Sequence, residues 1–185
     1  VEMILSVIIP TRNRAPLLAR TLDSLLVQTY PANSYEVIVV DNGSKDQTPA
    51  VFAQFSEQFP NSRYYYDERP GLHVGRHVGM RQGRGEVLVY GDDDIRAFPT
   101  WLEGVAESFK DPNVALVGGK ILPDFEIEPP NWVDTLWEKT PSGRLLTHFS
   151  LLDFGEEIRE IPPYHVFGCN YSIRKPVLQE IQGFH

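Results

Sequence analysis

The sequence predicts an α/β fold, a mainly parallel sheet flanked by helices, and three observations predict it. Short apolar runs rich in β-branched residues recur along the first 120 residues, stretches with apolar residues at helical spacing lie between them, and turn-forming or acidic residues stand at the carboxyl ends of the runs. Runs that are apolar at nearly every position read as strands buried on both faces. Their alternation with helices implies right-handed crossovers into a parallel, doubly wound sheet.

Leu5 to Ile9 is the first run, and Pro10 stops it. From Pro16, the residues Leu17, Leu18, Leu22, Leu25 and Leu26 form one helical stripe with Arg20 and Asp23 opposite. Glu36 to Val40 repeats the strand pattern, and Asp41-Asn42-Gly43-Ser44 supplies the turn after it. Ser44 and Gln47 have capping-box spacing for a helix whose Val51, Phe52, Phe55 and Phe59 share a face. Arg63 to Tyr66 reads as a third strand, His73 to Gln82 as a third helix, and Glu86 to Tyr90 as a fourth strand running into Gly91-Asp92-Asp93-Asp94. Trp101, Leu102, Val105, Ala106 and Phe109 mark a fourth helix, and Val114 to Val117 a fifth strand. Beyond Lys120, prolines 123, 129, 130, 141, 162 and 163 break any long element, so loops with short pieces of strand or helix are expected. Val166 to Asn170 then reads as a strand and Lys175 to Ile181 as a final helix.

A chain of 185 residues suffices for one domain with a sizeable core. With 17 Lys and Arg against 25 Asp and Glu, the formal charge of −8 excludes a broad electrostatic grip on nucleic acid or anionic lipid. A polyanionic ligand would need a metal ion or a few placed arginines. Cys169 is the only cysteine, which excludes an intrachain disulfide and cysteine-pair metal sites and fits a reducing compartment. The apolar run from Met3 to Pro10 is too short for a membrane span and lacks signal-peptide flanks, so neither is expected in this chain. The start at Val1 and the end at Gly183-Phe184-His185 read as those of a piece of something longer.

Ligands of doubly wound sheets sit at the carboxyl ends of the strands, which selects the turn after Pro10, the turn at Asp41 and the aspartate triplet. In an extended segment, residues two apart project to one side, so Asp92 and Asp94 are placed to share a cation. Carboxylates suit Mg2+ or Mn2+, whose open positions phosphate oxygens can fill. The alternative is a solvated acidic turn, but three adjacent like charges without a counter-ion repel one another. Asp41 is suited either to a base N–H or ribose hydroxyl, or to closing an Asx-turn with Gly43. Arg12 and Arg14, in Pro10-Thr11-Arg12-Asn13-Arg14, either meet a diphosphate or are solvated beside a helix start. Arg76 is a second cationic candidate, and the glycines around it permit either close approach to a ligand or tight helix packing.

Absent motifs narrow the field. Gly83-Arg84-Gly85 precedes a strand rather than following one, so it is no dinucleotide fingerprint. The chain has no GxxxxGK[ST] phosphate loop and no GxSxG elbow. His73, His77, His148, His165 and His185 lack metal-site spacing, and a structural or surface role is expected of each. Trp132 and Trp137 are expected to pack in the interior rather than to stack on a sugar ring.

Together these residues resemble the family 2 glycosyltransferases, which have the GT-A fold. The matching pieces are Ser6 to Asn13, Glu36 to Ser44, Gly71 to Arg76, Gly85-Glu86, Asp92-Asp93-Asp94 with Pro99 and Trp101-Leu102 behind, and Gly168 to Arg174 with Gly183-Phe184. The resemblance implies that Asp41 binds the nucleotide base, commonly uracil, and that Pro10, Thr11 and Arg12 line the nucleotide pocket. It also implies that Arg76 helps to hold the base or diphosphate, that Asp92 and Asp94 form the DXD site for Mn2+ or Mg2+, and that Asp93 lies near the ribose or donor sugar. Residues 1–120 would then be the half that binds the nucleotide-diphosphate sugar, and residues 121–185 an acceptor-side, loop-rich portion of the same domain, facing a saccharide or other hydroxyl acceptor. The implied location is cytoplasmic, with any peripheral membrane attachment left to segments outside this chain. Two departures stand out. His77 replaces the family's usual Asn after the Arg, and the acidic catalytic base is expected beyond His185, so no residue here inherits that role. Three other readings rank lower: a catalytically silent nucleotide-sugar-binding domain, a phosphoacceptor domain, which lacks its acidic pair after the first strand, and a nucleotidyltransferase, which lacks its glycine-rich loop.

Overall fold

The computed structural model describes residues 5–59 and 61–184. Val1 to Ile4, Pro60 and His185 lie outside them, and with them the start of the Met3 run and the surface role expected of His185. The main sheet has six strands in the order β3-β2-β1-β4-β9-β5, with β9 at Asn170–Arg174 and β5 at Leu116–Gly118. β1 (Leu5–Thr11), β2 (Tyr35–Asp41), β3 (Ser62–Tyr66) and β4 (Val87–Gly91) run parallel. β1 and β2 are buried at every position, as their apolar runs require of strands covered on both faces.

Successive side chains along the strands alternate between two packed clusters, one on each face of the sheet. Val7, Ile9, Val37, Val39 and Val89 pack with Leu18, Leu22 and Leu25 of α1 (Ala15–Leu26), Phe55 of α2 (Thr48–Gln58) and Leu102 and Val105 of α4 (Trp101–Ser108). Ile8, Ile38, Val40, Leu88 and Tyr90 face Val78 of α3 (Leu72–Gln82) and Leu178 of α5 (Lys175–Glu180). α3 lies close on the sheet because it has glycine where contact is tightest: a β-carbon on Gly79 would run into the Ile8 side chain. The glycines around Arg76 thus serve packing.

Three boundaries differ from the sequence reading. Ser44 does not cap α2; its hydroxyl accepts from Asn13 N–H, while Asp46 Oδ1 accepts from Thr48 N at 3.1 Å and from the Thr48 hydroxyl at 2.6 Å. The fifth strand is β5 (Leu116–Gly118), because an Asp111–Asn113 turn takes up the preceding residues and the Arg174 side chain donates to Val114 O at 2.8 Å. The strand expected at 166–170 is β9 (Asn170–Arg174), which pairs antiparallel with both β4 and β5. A 3-10 turn at Pro163–His165 holds the chain out of extended form before it.

The proline-rich stretch is not all loop. β6 (Glu138–Thr140), β7 (Gly143–Leu146) and β8 (Leu151–Asp153) form a small antiparallel sheet over Leu145, Leu152 and Phe154. The burial expected of Trp132 is not met: it is 61% exposed. Trp137 is half-buried with the Arg144 guanidinium 4.5 Å over its ring. No helix among the described residues is long and apolar enough to cross a membrane.

Candidate nucleotide-sugar site

Strand order reverses at β1: β2 and β3 lie on one side of it and β4 on the other. Crevices form above such a reversal because the connections leave the strand tops in opposite directions. A cleft of about 280 Å³ opens there. Pro10, Thr11, Arg12 and Arg14 line it from the end of β1, Asn42 from the turn after β2, Gly71 and Leu72 from the start of α3, and Asp92 and Asp93 from the end of β4.

The aspartates have three different environments. β4 ends at Gly91 and the chain turns through Asp93 and Asp94, so the extended geometry assumed for a same-side Asp92–Asp94 pair does not hold. Asp93, which is 4% exposed, accepts from the Thr11 hydroxyl at 2.7 Å and meets Arg14 Nη1 at 2.8 Å. Burial raises its carboxyl, against the pull of Thr11 and Arg14. Asp94 lines an adjoining recess with Leu17, Arg20 and Phe125, and takes Nη2 of Arg14, which itself lines the cleft, at 2.7 Å. Asp92 lines the cleft with Arg76 Nη2 at 3.8 Å. Burial pushes its carboxyl up to about 6, Arg76 opposing and Asp94 and Asp93 adding to it.

Asp41 and Arg76 lie behind the cleft wall. Asp41 has the parity of Val37 and Val39, so its side chain sits on the α1/α2 side of the sheet, fully buried. Its Oδ1 accepts from Ser44 N at 2.7 Å and its Oδ2 from the Tyr64 hydroxyl. Asn42, of opposite parity, faces α3. A β-carbon on Gly75 would meet its Oδ1 at 2.5 Å. Arg76, 11% exposed at its side chain, donates to Gly168 O at 2.9 Å and lies over the rings of Tyr171 and Phe184. His77 is structural: Phe184 N donates to its Nε2 at 3.2 Å.

Of the site residues named from sequence, Pro10, Thr11, Arg12, Asp92 and Asp93 line this one cleft, whereas Asp41, Arg76 and Asp94 are not among its lining residues. The sequence did not rank Arg14 above Arg12, yet among the described residues it is Arg14 that joins two of the three aspartates. The available signal was its position at the N-terminus of α1, where a long side chain reaches back over the strand ends. Asn42 was visible only as part of a turn. Among the described residues, no group of three or more His, Cys, Asp or Glu side chains converges to hold a metal by itself. Mg2+ and Mn2+ commonly take one or two protein carboxylates and complete their shells with phosphate and water. Asp92, on the cleft with its nearest cation at 3.8 Å, and Asp94, half-exposed, are carboxylates of the kind such a substrate-completed site uses, and they do not form a closed cage.

Comparison with known proteins places the chain among transferases. It is 38% identical over 117 residues to Glycosyltransferase AglE of Haloferax volcanii, covering 63% of this chain and 38% of that protein. It is 27% identical over 169 residues to the Glucosyl-dolichyl phosphate glucuronosyltransferase of the same organism, covering 90% of this chain and 50% of that protein. The chain thus spans half or less of the length of these curated relatives. Among solved structures, it resembles the mannosyltransferase PcManGT from Pyrobaculum calidifontis in complex with GDP-Man and Mn2+, with TM-score 0.68 and 23% identity over 100% of this chain and 48% of that one. It also resembles S. aureus TarS 1-349 in complex with UDP, with TM-score 0.71 and 22% identity over 97% of this chain and 49% of that one. These likenesses show the GT-A fold expected from the sequence. The profile of the family described as Glycosyl transferase family 2 matches residues 6–180, nearly the whole chain, and the chain therefore belongs to that family.

Proposed function

We propose that this chain forms the donor-binding part of a glycosyltransferase that moves a sugar from a nucleotide-diphosphate sugar, UDP-linked, to an acceptor hydroxyl with inversion. The observation that carries the reading is the cleft at the β1/β4 reversal, where the Thr11–Asp93 bond, Asp92 and two arginines meet. A saccharide or other hydroxyl compound is the acceptor, and residues 121–185 are assigned to its side.

Within the cleft each residue has a task. Pro10, Asn42, Gly71 and Leu72 offer a mostly apolar wall suited to the base and ribose. Arg12 at the mouth offers charge-assisted hydrogen bonds to the diphosphate. Asp92 and Asp94 would hold Mn2+ or Mg2+, and a divalent ion so held supplies electrostatic stabilisation of the charge that gathers on the departing diphosphate. Thr11 and Arg14 hold Asp93 in place beside it. Asp41 acts through the turn: its two bonds fix the backbone that presents Asn42. Arg76 supports Asp92 from below. No residue of this chain is assigned to deprotonate the acceptor.

Titration calorimetry with UDP, GDP and their sugars, with Mn2+ and then with EDTA, tests the proposal. Nucleotide binding that needs the metal supports it. Binding indifferent to EDTA removes the metal role, and no binding of any nucleotide sinks the reading.

A further inference from the structure

We infer that Arg14 is an internal counter-cation that holds Asp94 until a divalent ion and a diphosphate arrive, then releases it while staying on Asp93. The inference rests on the donor-site reading above. One guanidinium spans two carboxylates, with Nη1 at 2.8 Å from Asp93 Oδ1 and Nη2 at 2.7 Å from Asp94 Oδ2.

The two ion pairs are unequal. The Asp93 side chain is 5% exposed and the Asp94 side chain 43%, so water screens the outer pair far more than the inner one. Asp93 is also tied to Thr11, whereas Arg14 Nη2 is the side-chain partner that Asp94 has. The Arg14 backbone is fixed, because its carbonyl accepts from Leu17 N at 3.0 Å and Leu18 N at 2.9 Å at the start of α1. Any exchange therefore moves only the side chain.

Charge balance gives the direction of the exchange. Three carboxylates face two guanidinium groups, Arg14 and Arg76, and Asp92 keeps its nearest cation at 3.8 Å. The cluster is short of one positive charge, and a divalent ion more than supplies it. With the ion on Asp92 and Asp94, the outer pair of Arg14 is redundant. Its freed Nη2 then faces the cleft that it already lines, where a diphosphate is the available anion. Arg14 thus competes with the metal alone and cooperates with metal and diphosphate together, which makes the two ligands positively coupled.

Calorimetry of Mn2+ alone, and of Mn2+ with UDP or GDP, whichever the wild-type protein binds, tests this on wild type, Arg14→Met and Arg14→Lys. The expected result is that Arg14→Met binds Mn2+ alone about two- to fivefold more tightly, the range that an exposed ion pair supports. The same variant should bind the Mn2+–nucleotide pair more weakly than wild type. Arg14→Lys, which keeps a charge but cannot span both carboxylates, should fall between, and it substitutes for the methionine variant if that one unfolds early. Neither variant binding Mn2+ more tightly than wild type overturns the inference. Asp92→Asn separates the two levels of the argument. If it leaves metal-dependent nucleotide binding intact, the donor-site reading fails; if it weakens binding while the Arg14 variants change nothing, only the role of Arg14 fails.

Discussion

The Thr11 hydroxyl donates to Asp93 Oδ2 at 2.7 Å, joining the carboxyl ends of two neighbouring parallel strands that are 82 positions apart in sequence. Both residues are about 4% exposed, so neither can exchange this bond for water without local opening. A buried acceptor that loses its donor costs about 1–3 kcal/mol. Thr11→Val should therefore lower the melting temperature by roughly 3–10 °C for a domain of this size, and Thr11→Ser should recover most of it. Thermal unfolding followed by circular dichroism checks both.

The aspartates should separate into two classes by different measurements. Asp93→Asn disturbs bonds to Thr11 and Arg14 in the interior and should cost stability by about 1–3 kcal/mol. Asp92→Asn removes a charge that burial disfavours, so its stability should match or exceed that of wild type while metal-dependent nucleotide binding weakens. Urea titrations paired with calorimetry distinguish this from a general acidic patch, for which all three positions would behave alike.

Glu36 is a buried carboxylate far from the cleft, at 2% exposure. It accepts from the Ser6 hydroxyl and Arg84 N–H at 2.6 Å each, and from Arg63 Nε at 3.0 Å and Nη2 at 2.6 Å. Removing the cation leaves a buried charge unpaired, so Arg63→Met should cost about 3–5 kcal/mol. Ser6→Ala, which removes one neutral donor, should cost less. Chemical denaturation of the two variants ranks them.

Burial pushes the Cys169 thiol from its ordinary 9.0 up to about 11, with Asp92 adding to it. A raised thiol pKa means that the neutral form persists to higher pH, so the thiolate at pH 8 is roughly a hundredfold scarcer than for an ordinary cysteine. Iodoacetamide should label the folded protein slowly at pH 8, and its rate should still be climbing steeply above pH 10. A rate that levels off by about pH 10 would show an exposed, unperturbed thiol.

The parallel half of the sheet could be read from sequence because its information is local. Val7, Ile8 and Ile9 or Val37 to Val40 need cover on both faces wherever they sit, and only a few arrangements give it. The antiparallel entry of β9 was not readable: Tyr171 to Arg174 find partners in β4 and β5, and nothing within five residues encodes which edge a strand joins. The cleft residues at strand ends could be found because position in a doubly wound sheet is itself a signal. Side-chain direction could not. Whether Asp41 or Asn42 faces α3 depends on the phase of β2, and a shift of one residue exchanges them. Arg14 could not be ranked above Arg12, because two arginines on one loop differ only in where the following helix aims them.

β5 touches the main sheet only through β9, and β9 lies between β5 and β4. On the ribosome, then, the four parallel strands can assemble early, but the free rim of β4 stays open to stray pairing until residue 174 has emerged. The 78 residues between β4 and β9 must be made, and their small three-stranded sheet tucked aside, before the last gap closes. A break anywhere in that excursion would leave the β4 rim without its covalently linked β9 partner, so the early parallel strands and the late antiparallel one are inseparable in assembly.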